Sequence, residues 1–229
     1  MNFTINTHKL RSVLTRNKIK KMKKTHLVTV AFIAMIAISC KKEDNIQPVI
    51  TLNGSYEQSV DLNGTYNEAG ATAKDNQDGD ITSSIVITGT VNTNETGEYR
   101  VYYDVADSED NKAATATRFV TVSNSSDYMV GTYQATPNCS GTSTFNTYNT
   151  TVTSSTTTNN QIFIKRVMWQ VEDEPVIGNV SGNTIDIPLQ TIGQNTVSGS
   201  ATITGSSFLL TININGWQTY SCTIDHVKI

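Results

Sequence analysis

Apolar and polar residues alternate along most of this chain, and turn residues break the alternation into short runs. Gln58-Ser59-Val60-Asp61-Leu62, Tyr99-Arg100-Val101-Tyr102-Tyr103 and Thr115 to Val122 read as half-buried strands, since side chains two apart share a face. Asn53-Gly54 and Asn63-Gly64 are turn pairs between such runs. The same alternation continues to the C-terminus. Candidate strands follow at Val130 to Ala135, Thr144 to Thr153, Gln161 to Gln170, Val176 to Val180, Thr184 to Leu189, Thr196 to Thr204, Phe208 to Asn215 and Thr219 to Ile229. Thr158-Asn159-Asn160, Ser181-Gly182-Asn183, Gly193-Gln194-Asn195 and Gly205-Ser206 supply the turns. No stretch after Ser39 has helical spacing, and the composition is rich in Thr, Ser, Asn, Val and Ile. The pattern predicts an all-β protein.

One segment departs from this pattern. Leu27 to Ile38 is an apolar run of about a dozen residues behind Lys23 and Lys24, too short for a membrane span of ~20 residues but of signal-peptide length. It ends in Ala37-Ile38-Ser39-Cys40, which resembles the lipobox of bacterial lipoproteins, with Ala37 in place of the usual Leu and Ile38 in place of the usual small residue. The resemblance implies a diacylglycerol on the Cys40 thiol and cleavage just before it. Lys41-Lys42-Glu43-Asp44 then resembles the tag that sends lipoproteins of certain Gram-negative bacteria to the outer face of the outer membrane. Residues 1–39 are therefore expected to be a signal peptide, with Met22 as the natural start, and the only membrane partner is expected to be reached through the lipid.

Removing that leader changes the charge. Residues 1–39 hold eight of the 17 Lys and Arg residues and none of the 20 acids, which leaves nine bases against 20 acids, a net of −11. Such a chain repels nucleic acid and anionic lipid. In an oxidising compartment Cys139 and Cys222 are expected to pair, and with one mature histidine, His226, they cannot build a structural zinc site.

The mature chain divides in two. A tether covers residues 40–47, and residues 48–123 have the strand spacing of a β-sandwich. Tyr99, at a strand entry after Gly97-Glu98, is read as core packing, with a tyrosine corner as the other reading. Residues 124–127 read as a polar linker, and 128–229 form a second module. Its eight short strands with tight turns predict an up-and-down meander that removes its edges by closing into a barrel; a second sandwich or a jelly roll would give nearly the same pattern. In a closed meander the first and last strands are neighbours, so a Cys139–Cys222 disulfide would pin the seam.

Two resemblances sharpen this division. Pro48-Val49-Ile50-Thr51-Leu52-Asn53-Gly54, Gly64-Thr65-Tyr66, Gly70-Ala71-Thr72-Ala73, Asp78-Gly79-Asp80-Ile81-Thr82 and Gly97-Glu98-Tyr99 resemble, in order, the bacterial surface immunoglobulin-like repeat also found in a pesticidal crystal toxin. The family's Asp-x-x-Gly-Asn is here Asp107-Ser108-Glu109-Asp110-Asn111, without the Gly. The resemblance implies a spacer or adhesion module on a bacterial surface, without catalysis. Gly131-Thr132-Tyr133 resembles the opening of lipocalin-like barrels.

Candidate chemistry is sparse. Asp75, Asp78 and Asp80 could converge on Ca²⁺, but turn formation explains them without a cation, and no cofactor is expected. Asp104, Asp107, Glu109 and Asp110 form a second acidic loop. Asp225 and His226 adjoin on a strand and so face opposite ways, no Gly-x-Ser-x-Gly occurs, and Glu172-Asp173-Glu174 sit together before Pro175 as a solvated charge run. No enzyme is expected. Among the aromatics, Trp217 after Asn215-Gly216 is the best candidate for an exposed ring, with Trp169 and Tyr220 as further candidate ligand contacts. Two functions compete: a surface protein whose Ig-like spacer presents a β-domain to a ligand or glycan, and a structural or adhesive protein that meets a surface protein partner and has no small ligand.

Overall fold

β-Branched and aromatic residues set between close-spaced turn residues yield strands of two to ten residues. The computed structural model describes residues 43–140, 145–167 and 174–229. Seven strands form the first module. β1 (Val49–Leu52), β3 (Ala71–Asp75) and β4 (Gly79–Asp80) make one sheet. β2 (Glu57–Asp61), β5 (Val86–Thr88), β6 (Gly97–Asp104) and β7 (Ala116–Ser123) make the other, in the order β2-β7-β6-β5 with β2 parallel to β7. The two faces meet over Ala71, Val101 and Tyr103, backed by half-buried Ile50, Leu52, Ile85, Val91 and Ala116. Tyr99 donates its hydroxyl to the Glu95 carbonyl at 2.9 Å, so it is the corner residue rather than a core one.

This apolar core is small, and a buried cation lies beside it. Arg118 is fully buried. Its Nε donates to Glu68 at 2.9 Å, its Nη2 to the carbonyls of Asn53 and Gly70 at 2.8 and 3.0 Å, and its Nη1 to that of Ser55. The guanidinium carbon lies 5.9 Å from the Tyr103 ring centroid. Burial alone would raise the Glu68 pKa, but hydrogen bonds from Tyr103 and Tyr66 and the Arg118 charge outweigh it and hold the carboxylate below its usual range. One side chain thus ties together the loops on either side of β2.

The second module is a closed antiparallel barrel of eight strands. They are β8 (Gly131–Cys139), β9 (Tyr148–Ser154), β10 (Gln161–Lys165), β11 (Val176–Ser181), β12 (Thr184–Ile192), β13 (Asn195–Thr204), β14 (Ser207–Asn215) and β15 (Thr219–Lys228). Each pairs with the next, and β15 returns to β8. This is the closed meander, not a second sandwich or a jelly roll. At the seam Cys222 stands opposite Cys139 and the two are bonded. The bond closes a loop with a sequence separation of 83, which in the chain-entropy view stabilises the module by roughly 4 kcal/mol. Strict alternation on β14 sends Phe208, Leu210, Ile212 and Ile214 inward. With Ile162, Ile164, Ile185, Val197 and Ile224 they pack as one apolar cluster through the barrel interior. Gly199 lets β13 and β14 approach closely, since a Cβ there would collide with the Thr211 carbonyl.

The two modules meet in a polar joint. Asn124, expected in a linker, is 2% exposed. Its amide donates to the carbonyls of Ser155 and Thr158 at 2.8 and 2.9 Å and accepts from the backbone N–H groups of Ser126 and Asn160 at 3.0 and 2.9 Å. Asn63, at φ 61°, accepts from the Asn159 N–H at 2.9 Å and donates to the Thr157 carbonyl at 3.2 Å. The Thr96 N–H reaches the Thr156 carbonyl at 2.9 Å. The β9–β10 turn is therefore held by the Ig-like module, and the opposite barrel end, carrying the turns after β12 and β14, faces away from it. Val49 pairs with Lys74 at the other extreme, where β3 ends.

Candidate functional site

The free end of the barrel is built from adjoining hairpins. Ile192 pairs with Asn195 and Asn215 with Thr219, so Gly193-Gln194 and Gly216-Trp217-Gln218 are tight tips, and the pair Thr196–Asn215 sets them side by side. Gly216 lies so close to the Asn195 side chain that a Cβ would collide with its Oδ1. Trp217 is 94% exposed. Its Nε1–H donates to Gln194 Oε1 at 3.2 Å. Beside it Tyr220 packs edge-on against Phe145, with ring centroids 6.2 Å apart, and donates its hydroxyl to Gln218 Oε1. Two residues on, Cys222 fixes the strand that carries Tyr220. The structure thus brings Trp217 and Tyr220 to one rim. Trp169, Glu172, Asp173 and Cys40 lie outside the described residues. Gln194, the residue that holds the indole, was not singled out by sequence; a Gln one position after a turn glycine gave no signal of its partner 23 residues later.

Inside the barrel the chemistry is different. His226 is fully buried and stacks on Phe208 at 4.2 Å. Its Nδ1 lies 3.1 Å from the Ile224 carbonyl, while Nε2 meets no partner among the described residues. Burial lowers its pKa to about 4, the contact with Ile224 opposing the shift. Asp225 points outward, so the two form no dyad.

At the far extreme of the Ig-like module lie the acidic turns. Asp75 Oδ2 accepts the N–H groups of Gln77 and Asp78 at 2.6 and 2.9 Å. Asp78 accepts from the Ser108 N–H at 2.7 Å and its hydroxyl at 3.0 Å, and Asp80 from the Thr82 N–H at 3.0 Å. Asp107 caps its own loop through Glu109 and Asn111. These are backbone-organising bonds of turn formers. Carboxylate oxygens of Asp75 and Asp107 come within 4.8 Å of one another, whereas Asp78 and Asp80 are directed to Ser108 and Thr82. Asp110 stands at φ 66°, in the left-handed region that favours glycine. Close by, an open cleft of about 540 Å³ is lined by Ser84, Val86, Asp104, Asp110, Lys112 and Thr115.

The two-sheet module has a counterpart among known proteins. Residues 50–122 match the family model of the bacterial surface protein Ig-like domain. The match runs from β1 into β7 and leaves the barrel outside. The Ig-like domain is thus of a kind found on bacterial surface proteins. No curated protein matches the chain. Among solved structures, the crystal structure of the lipoprotein BT2262 from Bacteroides thetaiotaomicron is 17% identical, with 79% of this chain and 100% of that chain covered and a TM-score of 0.34. A structure of CBM51-2 in complex with GlcNAc and INT domains from Clostridium perfringens ZmpB is 15% identical, covering 80% of this chain and 44% of that one at a TM-score of 0.29. At these scores neither likeness bears on what this chain binds.

Proposed function

We propose that this is an exported, lipid-anchored protein of the bacterial outer surface, in which the Ig-like domain holds the barrel away from the membrane and the free barrel end binds a ligand without catalysis. The observation that carries the reading is Trp217, a large aromatic held 94% exposed on a rigid double hairpin. An indole held in the open by a hydrogen bond at its one polar atom offers a large, oriented aromatic face for a ligand to cover. The joint at Asn124 and Asn63 supports presentation, because it leaves that end pointing away from the module that follows the tether. A lipocalin-like site would lie inside the barrel. The packed interior around Leu210 and Ile212 favours the rim instead. The Cys40 lipobox and the following Lys41-Lys42-Glu43-Asp44 support anchoring and outward sorting.

The test is metabolic labelling of cells with a fatty-acid probe, combined with protease treatment of intact cells. The protein is expected to carry the label and to be degraded from outside, and Cys40→Ser is expected to move it to the soluble fraction. An unlabelled, protease-shielded protein would contradict the reading.

A further inference from the structure

Building on the reading of the free barrel end as the binding end, we propose that Trp217 and Gln194 form a stacking platform for a ring of a neutral glycan. The indole uses its one polar atom to bond Gln194 at 3.2 Å. That bond fixes the ring plane, and at 94% exposure both faces remain open. A flat, oriented aromatic face suits the C–H face of a sugar ring.

The surroundings select the occupant. Residues 192–196 and 215–220, the sequences around the two adjoining tips, contain no charged side chain. Their polar groups are amides and hydroxyls, among them Asn215, Gln218 and Thr219 beside the ring, which hydrogen-bond hydroxyls of a neutral sugar. An anionic polymer would meet a mature chain with an excess of acids and no base at these tips. A membrane surface would call for Lys or Arg flanking the aromatic. A protein partner would call for a contiguous apolar patch, whereas the residues on either side of Trp217, Gly216 and Gln218, are polar or small. A sugar ring needs only the single platform and its polar margin.

Gln194 acts through Trp217 as a positioning residue. Its side-chain oxygen accepts the indole N–H, so any side chain that keeps an acceptor at that place keeps the ring oriented.

The chain has two tryptophans, so Trp169→Phe leaves Trp217 as the sole indole emitter. The full-length protein with that change, purified in detergent, is titrated with soluble neutral glucan, mannan and xylan, and with polygalacturonate and anionic lipid vesicles. We expect a saturable emission change with at least one neutral polymer and none with the anionic probes. On the native background, Trp217→Ala should weaken binding about tenfold or more while leaving the melting temperature unchanged. Gln194→Ala should weaken it several-fold and lower Trp217 fluorescence anisotropy, and Gln194→Glu, which keeps the acceptor, should restore the anisotropy. Failure of all neutral polymers, or a preference for the anionic probes, would overturn the glycan assignment. Neutral-glycan binding that survives Trp217→Ala would overturn the platform while leaving the surface-binding reading intact, since that reading stands or falls on labelling and surface exposure.

Discussion

The two modules solve the same problem, holding short strands together, by opposite means. The barrel closes on itself, so every strand has two neighbours, and its interior is mainly apolar, with His226 stacked on Phe208 inside it. The Ig-like domain cannot close. Its sheets of three and four strands leave long connections at β2, and a buried guanidinium supplies the ligands those connections need. The guanidinium thus bridges the carbonyls of Asn53 and Ser55 before β2 to that of Gly70 after it, which also accepts the Asn53 N–H at 2.9 Å. In this chain the closed topology goes with a module held by buried apolar area, and the open one with a polar hub.

That contrast can be broken first at Arg118. Arg118→Met removes the charge that Glu68 and three carbonyls face, and should cost the Ig-like domain about 3 to 5 kcal/mol. Ile203→Val in the barrel should cost only about 1 kcal/mol. Denaturant unfolding of the full chain, followed separately in each module by hydrogen exchange, checks this. Equal losses would show that both modules rest on area.

The second prediction concerns pH and the barrel alone. His226 is neutral in the folded barrel with a pKa of about 4, below its unfolded value of about 6.5. Between those values the unfolded chain binds more protons than the folded one, so stability should fall as pH drops from about 6.5 to 4 and level off below. The integrated loss is about 3 kcal/mol. His226→Leu should flatten the profile over that window. A profile that keeps its slope in the variant would assign the dependence elsewhere.

The smallest effect is expected at Asp110. Its left-handed backbone favours glycine, so Asp110→Gly should stabilise the Ig-like domain by up to about 1 kcal/mol, read as a rise in melting temperature. A loss would mean that the Asp110 side chain contributes more than its conformation costs.

Much of this architecture was legible because it is written locally. Alternation and turn residues pointed to the eight-strand meander of the barrel and to the sandwich class of the first module, though not to its sheet order β2-β7-β6-β5, and the placement of Cys139 and Cys222 near the first and last barrel strands pointed to the seam. Trp217 was legible as exposed because Asn215-Gly216 marks a tip. What escaped were groups defined by distant partners. Arg118 occupies an ordinary alternating position on β7, and its acceptors lie 48 to 65 residues away. Asn124 reads as linker because a buried asparagine and a solvated one look alike until the β9–β10 turn, 31 residues later, is folded against it. The same holds for Gln194. Tyr99 was read as core because a tyrosine's hydroxyl partner four residues upstream has no sequence mark.

The proposed binding surface is the free barrel rim, not the barrel interior or the Ig-like cleft. Backbone hydrogen exchange of the full-length protein, with and without a saturating neutral polysaccharide, tests it directly. Added protection should be confined to residues 192–196 and 215–220. Protection spread along inward-facing positions of β12 to β14, or centred on residues 104–115 of the Ig-like domain, would contradict it.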